Sequence, residues 1–354
     1  MHFLSILLLT LLPLLGESQE INLTFVGDAM QHGPQVKAAL SCGGGSHYDY
    51  SDCFRYISAD IADADYSVVN LECPLAGPPF KGYPHFSAPD SYAKALKSVG
   101  FDLFLTANNH CMDCRDAGAE RTLRTLDALG IPHIGTYLDD ADRSAHSPFI
   151  ATIKGAKIAF LDYTFGTNGI PALSVAVNRI DSTRISSEID AARAAGAQAV
   201  CVCLHWGIEY QLLPVPSQKK LADFLVRKGV DLIIGSHPHV VEPMEIRHSD
   251  TYNKDVLLVY SLGNFISNQN GSNSRGGSMV KVRLSFIDGK PKVDAASYKL
   301  FFVQKPAARG ENYVIIPSSR RDLVRADSRS AFDTFISNAR DLFNAHNIGV
   351  NEDK

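Results

Sequence analysis

The sequence predicts an α/β layered domain, and three observations carry the prediction. Short β-branched and aromatic runs alternate with helix-period segments through the first two thirds of the chain. Many of the connections between them are compatible with βαβ units, the rhythm of a layered sheet. The composition is ordinary for a folded protein: 354 residues, 45% hydrophobic, 20% charged, 26 Gly and 17 Pro. That balance excludes disordered, collagenous and coiled-coil classes. With 34 Lys+Arg against 38 Asp+Glu, the net charge of −4 gives no basic footprint, so no nucleic-acid partner is expected.

The chain opens on an apolar run, residues 4–15, followed by Gly16-Glu17-Ser18. It is shorter than the ~20 residues that span a bilayer, so residues 1–19 are expected to be a secretory signal peptide. Only His2 and the amino terminus supply positive charge before it, which leaves an uncleaved signal anchor as the alternative. The expected location is therefore periplasm, cell surface or extracellular space. Residues 20–345 read as one domain and 346–354 as a polar tail.

Within that domain, strands are expected at 21–26, 66–71, 101–105, 156–161, 198–204 and 230–234. Leu221, Phe224 and Leu225 mark a helix over 219–228, and Leu123, Leu126 and Leu129 mark another over 117–129. Asp116 and Ser217 are placed to cap their starts, and Gly130 and Gly229 to end them. From about Val256 strands follow one another without helices, at 256–262, 279–286 and 292–303. A last amphipathic helix covers 329–344, with Phe332, Phe335, Ile336, Ala339, Leu342 and Phe343 along one stripe. The polar, glycine-rich stretch 268–278 reads as a mobile loop.

Five of the apolar runs lead into metal-competent polar residues: Phe25-Val-Gly-Asp28, Val68-Val-Asn70-Leu-Glu72, Leu105-Thr-Ala-Asn108-Asn109-His110, Cys203-Leu-His205-Trp206 and Ile233-Ile-Gly235-Ser-His237-Pro-His239. In open α/β sheets ligands bind beyond the carboxyl ends of the strands. These ends would bring Asp28, Glu72, Asn109, His205, His237 and His239 to one crevice. Each residue also has an ordinary role: Asp28 as a cap, Asn108-Asn109 as a turn, His205 as a hydrogen-bonded core histidine. Five turn accidents would not assemble a coherent donor set, so the joint pattern favours a metal site. Mixed imidazole, carboxylate and amide donors suit Mn, Zn or Fe, as one or two ions, better than Ca or Mg.

At this point the sequence resembles a known family. GDAM, NLE, ANNHCMD, HWGIEY, GSHPHV and YSLGNF, in this order, are similar to the CapA family of capsule (poly-γ-glutamate) synthesis proteins, which is related to calcineurin-like metallophosphoesterases. The resemblance runs from Ile21 to Phe265 and includes Lys81-Gly-Tyr-Pro-His85, Ile131-Pro-His133-Ile-Gly135 and Tyr163-Thr-Phe-Gly-Thr-Asn-Gly169. It implies a layered αββα sandwich of the metallophosphoesterase type. It places Asp28 as a metal-binding first-strand aspartate and Glu72 as a bridging carboxylate. Asn109 becomes the amide ligand, His205 and His237 complete one metal site, and His239 with Asp28 forms the other. His110 would protonate the leaving group or stabilise charge. Met30 stands where the phosphoesterases usually have a histidine ligand, so one-metal chemistry stays open beside two-metal chemistry.

A bound cation lowers the pKa of water and polarises a phosphoryl or carbonyl oxygen. Asp113, three residues after His110, would orient that imidazole or else cap a helix. The remaining candidates for substrate contact are Asn108, Asn168, Asn264, Trp206, Glu209 and Ser236, with Trp206 equally readable as a lid over the core.

Three functions follow. The first is an exported metal-dependent hydrolase acting on a small phosphoester or amide substrate in capsule or poly-γ-glutamate production. The second is a non-catalytic accessory holding an anionic envelope polymer among capsule synthase subunits. The third is redox work by Cys111 and Cys114, beside His110. Seven cysteines are an odd set for an exported chain, and Cys42 and Cys53 are close enough in sequence to pair.

Overall fold

In the computed structural model two sheets face each other across an apolar core, and helices cover both outer sides. The structure describes residues 19–353. The leader expected over 1–19 lies, but for Gln19, outside the described residues. The first sheet has the order Val314–Pro317, Lys290–Gln304, Gly276–Ile287, Gln19–Ala29, Tyr66–Leu71, Leu103–Leu105 and His133–Ile134. Asn264–Ile266 also pairs with Gln19–Ala29, and Asn351–Glu352 with Lys290–Gln304. The second sheet runs Val241–Ser249, Lys254–Leu262, Leu232–Ser236, Ala199–His205, Ala156–Thr164 and Phe149–Ile153.

Strand alternation assigns the faces. Phe25, Val68 and Leu105 of the first sheet meet Phe160, Cys201, Cys203 and Leu232 of the second in the central core. Their chain neighbours Val26, Val69 and Phe104 point outward, under the helices Gly33–Cys42, Ser58–Ala62 and Asp90–Val99. On the other side Val200, Val202 and Ile233 lie under Ser182–Ala194 and Pro216–Arg227. The helix Arg329–His346 buries Phe332, Phe335 and Phe343 in the central core and packs on a strand of each sheet. Each such fully buried side chain contributes about 1.5–3 kcal/mol of transfer free energy.

The parallel pairs decide where the site lies. Gln19–Ala29 pairs in parallel with Tyr66–Leu71, which pairs in parallel with Leu103–Leu105. Ala199–His205 likewise pairs in parallel with Ala156–Thr164 and Leu232–Ser236. In the register, Asp28 stands beside Asn70, and His205 beside Ser236. The carboxyl ends of both sheets therefore open on one edge of the sandwich.

Several local expectations are corrected. Asp116 lies inside the first turn of Arg115–Ala128 rather than before it. Its carboxylate instead accepts the backbone N–H groups of Leu173, Ser174 and Val175, which clamps a distant loop. Ser217 is also inside its helix; Gln218 supplies the cap by accepting the Val215 N–H at 2.9 Å. Gly130 and Gly229 do follow their helices with left-handed φ of 60° and 75°. The stretch 268–278 is tied down: Lys305 donates to Asn268 O and Asn270 Oδ1, Tyr313 to Asn268 Oδ1, and Gly276 already belongs to a strand. All seven cysteines are free thiols, so the Cys42–Cys53 pairing is not made.

Candidate metal centre

Asp28, Glu72, His205, His237 and His239 meet at the edge where the two sheets open. Asp28 is fully buried at the end of the first strand. Its Oδ1 accepts from Asn70 Nδ2 at 2.8 Å, and its Oδ2 lies 3.1 Å from His239 Nδ1 and 3.3 Å from the His237 N–H. Glu72, also fully buried, has neither carboxylate oxygen hydrogen-bonded. Its Oε1 sits 3.7 Å from His205 Nε2 and 3.8 Å from His239 Nε2. Burial, and then the neighbouring Asp28 carboxylate, push the Glu72 carboxyl well above the usual carboxylate range. A buried acid without a hydrogen-bond partner is costly, and a cation between these groups removes the cost.

The histidines are prepared as neutral donors. Burial pushes His205 well below the ordinary imidazole range and His237 down to about 3. His237 Nδ1 is buried without a partner. Both residues of the His237-Pro-His239 turn adopt left-handed backbone, with φ of 100° and 59°, which costs roughly 1–3 kcal/mol each and marks a constrained turn. Donor atoms of Asp28, Glu72 and His205 lie within 4.8 Å of one another, and so do those of Glu72, His237 and His239. Glu72 is common to both groups, so this donor set fits one divalent cation or a pair sharing that carboxylate.

The supporting contacts are specific. His205 Nε2 lies 2.8 Å from Asn109 Oδ1, while His205 Nδ1 lies 3.1 Å from Ser236 Oγ. Asn109 in turn donates to Asn168 Oδ1 at 3.2 Å. His110 Nδ1 is 2.8 Å from Asp113 Oδ2, which also accepts the Phe86 N–H at 2.8 Å. The Phe86 ring stands edge-on to His110 at 4.6 Å. Asp113 therefore orients His110 and does not cap a helix. His110 directly follows Asn109, the partner of His205, and so belongs to the same crevice.

Other candidates lie elsewhere. Asn108 is fully buried and holds its own loop, donating to Leu71 O at 2.9 Å and accepting the His110 N–H at 3.2 Å. Trp206 packs in the outer core and donates to Tyr260 O at 2.8 Å, the lid reading rather than a substrate contact. Asn264 braces the turn from behind, donating to His239 O, Gln269 Oε1 and Ser274 O. Glu209 and Asn168 are exposed on loops at the mouth. Ser236 acts through its hydroxyl on His205. Met30 is buried in the core under the outer helices, away from the donor groups.

A comparison with family models matches residues 22–269 to the description "Bacterial capsule synthesis protein PGA_cap". The chain belongs to that capsule synthesis family. Among relatives of the family, the capsule biosynthesis protein CapA of Bacillus anthracis is 28% identical over 281 residues, covering 76% of this chain and 65% of that protein. The PGA biosynthesis protein CapA of Bacillus subtilis (strain 168) is 30% identical over 275 residues, covering 75% and 68%. The chain thus spans about two thirds of the length of these relatives. Among solved structures, the Haemophilus influenzae NAD nucleotidase NadN aligns with a TM-score of 0.52 at 12% identity, covering 96% of this chain and 65% of that one. The expected layered α/β sandwich is the fold of this family member, shared with NadN.

Three residues of this family member, Asn70, His32 and Phe165, were not singled out from the sequence. Asn70 bridges Asp28 and His205, donating to the first and lying 3.3 Å from the second's Nδ1. Its signal was available: it sits two residues before Glu72, on the same face of the strand end. His32 reaches the crevice from the start of the helix Gly33–Cys42, and burial pushes it down to about 4, with the charges of His239 and His110 adding to the effect. Phe165 and Tyr210 place exposed rings against His237 and His239. Burial raises both thiols of the redox reading, Cys111 to about 12 and Cys114 upward, away from the reactive thiolate.

Proposed function

We propose that this chain is an exported, metal-dependent hydrolase of capsule or poly-γ-glutamate biosynthesis, acting on a phosphoester or amide of a cell-envelope polymer or its precursor. The observation that carries the reading is Glu72: a fully buried carboxylate, unpartnered at both oxygens, shared by two groups of histidine and carboxylate donors. Asp28, Glu72, His205, His237 and His239, with Asn109, would hold one or two divalent ions, Mn, Zn or Fe. Such an ion supplies Lewis acidity, lowering the pKa of water and drawing charge from a phosphoryl or carbonyl oxygen.

The protein's own groups do the rest. Asp113 would accept the His110 Nδ1–H, so that in the doubly protonated ring the Nε2–H is the proton offered to a leaving group. Asn70 and Ser236 fix Asp28 and His205 against rotation. Anchoring by an uncleaved leader is compatible with the same role.

The alternative, a non-catalytic accessory that holds the anionic polymer in a synthase complex, has Met30 in its favour, since the second-site imidazole is replaced by a core side chain. One experiment separates the two. Protein loaded separately with Mn, Zn and Fe is assayed on a phosphomonoester, a phosphodiester and a γ-glutamyl amide, beside His110→Ala at equal metal content. Turnover that drops in the variant supports the hydrolase. Equal rates in both overturn the role of His110, and undiminished metal content in a His237→Ala, His239→Ala double variant overturns the metal centre.

A further inference from the structure

We propose that the mouth of the crevice is a sugar-binding subsite, in which Phe165 and Tyr210 receive the ring of a sugar phosphate; the proposal rests on the reading of the crevice as a hydrolytic metal centre. Both rings are about half exposed, 47% for Phe165 and 54% for Tyr210. Each leans on a different histidine of the site. The Phe165 ring is 4.5 Å from that of His237 and nearly parallel, at 9°, to that of His205. The Tyr210 ring is 6.1 Å from that of His239. Half-exposed rings forgo much of the burial that places aromatics in cores, so packing does not account for them.

Tyr210 is also held there. Its backbone is left-handed, φ 66°, a strained conformation for a bulky residue. Its N–H donates to Pro238 O at 2.8 Å, between the two histidines. Its hydroxyl accepts from Gln269 Nε2 at 3.3 Å, and Gln269 Oε1 accepts from Asn264, which braces the histidine turn. The ring is therefore tied to the metal centre at both ends.

The polar groups near the rings select the ligand class. Asn168 gives its Oδ1 to Asn109, which leaves its NH₂ as a donor at the mouth. Glu209 adds an exposed carboxylate beside Tyr210. A sugar ring offers C–H faces to aromatic plates and hydroxyls to amide and carboxylate groups, the combination present here. A polyanion finds a like charge at Glu209 instead.

The test titrates glucose 1-phosphate, glycerol 3-phosphate and poly-γ-glutamate into the manganese-loaded protein by calorimetry, with phosphate release from both esters followed in parallel. The expected result is glucose 1-phosphate bound roughly tenfold more tightly than glycerol 3-phosphate, the equivalent of about 1.4 kcal/mol for one or two stacking contacts. In Phe165→Ala and Tyr210→Ala the ratio of the two Kd values falls to about one, and Tyr210→Phe restores it. Equal affinities in the wild type overturn the subsite, as does binding of poly-γ-glutamate that responds to the ring variants more than glucose 1-phosphate does. If either ester is hydrolysed without a preference, only the subsite falls. If neither is bound or hydrolysed, the phosphoester half of the hydrolytic reading falls with it.

Discussion

Replacing Glu72 by glutamine should stabilise the metal-free protein above neutral pH and blunt its response to metal. The Glu72 carboxyl is fully buried, unpartnered, and next to Asp28. Its pKa is raised in the folded state, so the folded protein holds more protons than the unfolded chain in the window above the ordinary value of 4.5. Stability contributed by this group is therefore present at low pH and declines as pH rises through that window. Glutamine has no such proton to lose. A neutral replacement of a buried, uncompensated charge is typically neutral to stabilising by about 1–4 kcal/mol. The new amide can donate toward His239 Nε2, now 3.8 Å from Glu72 Oε1, whose Nδ1 is turned to Asp28.

The expected gain is thus about 1–3 kcal/mol at pH 8, vanishing near pH 4. His205 and His237 tilt the curve the other way, because depressed imidazoles lose stability as pH falls below 6.5. They are common to both proteins, so the difference between wild type and variant isolates Glu72. Urea unfolding of chelator-treated protein at pH 5 and pH 8 measures it, and repetition in excess Mn²⁺ measures the second half. Metal at about 100 times its Kd stabilises the wild type by about 2.7 kcal/mol. The variant, lacking the shared carboxylate, should gain far less. A variant less stable than wild type at pH 8 without metal, or an equal gain with it, refutes the assignment of Glu72.

Three further outcomes are expected. Asp113→Ala frees the His110 ring, so phosphoester turnover should fall about 10–100-fold at undiminished metal content, and an unchanged rate would show that His110 needs no orientation. Gly235→Ala drives a Cβ into the Tyr260 carbonyl and the Trp206 indole, so thermal unfolding should shift down by at least about 1–3 kcal/mol; a wild-type Tm would contradict the close packing of these strands. A thiol reagent should modify only Cys42 and Cys114 in the native protein, the two that are partly exposed, and the other five after unfolding, whereas rapid modification of Cys111 would contradict its burial.

How much of this was legible in the sequence depended on whether the signal was local. Strand ends at Asp28, Glu72, His205 and His237 are readable because continuous apolar runs stop at polar residues, and parallel topology then places those stops together. The glycines after two helices are readable for the same local reason, a left-handed stop. Caps were misread because Asp116 and Ser217 are competent for a local role, while the fold gives Asp116 a loop 57 residues away. The stretch 268–278 looked mobile by composition, but its restraints, Lys305 and Tyr313, come from far along the chain.

Asn70 shows where such reading stops short. It was quoted within its motif, and alternation put it on the face of Glu72, yet a lone asparagine carries no signature of its target. Its importance appears only when the two sheets close, because it joins Asp28 of the first sheet to His205 of the second. The same closure gives Met30 its meaning. Met30 keeps its side chain in the outer core, and its carbonyl accepts from Gln31 and Gln35. Two donor groups then share a single carboxylate, one holding Asp28 and His205 and the other His237 and His239. Loss of Glu72 would weaken both groups, whereas loss of His205 would weaken only one. Metal stoichiometry of Glu72→Gln against His205→Ala is therefore the measurement that separates a paired centre from a single ion: a pair predicts loss of all metal in the first and retention of one ion in the second.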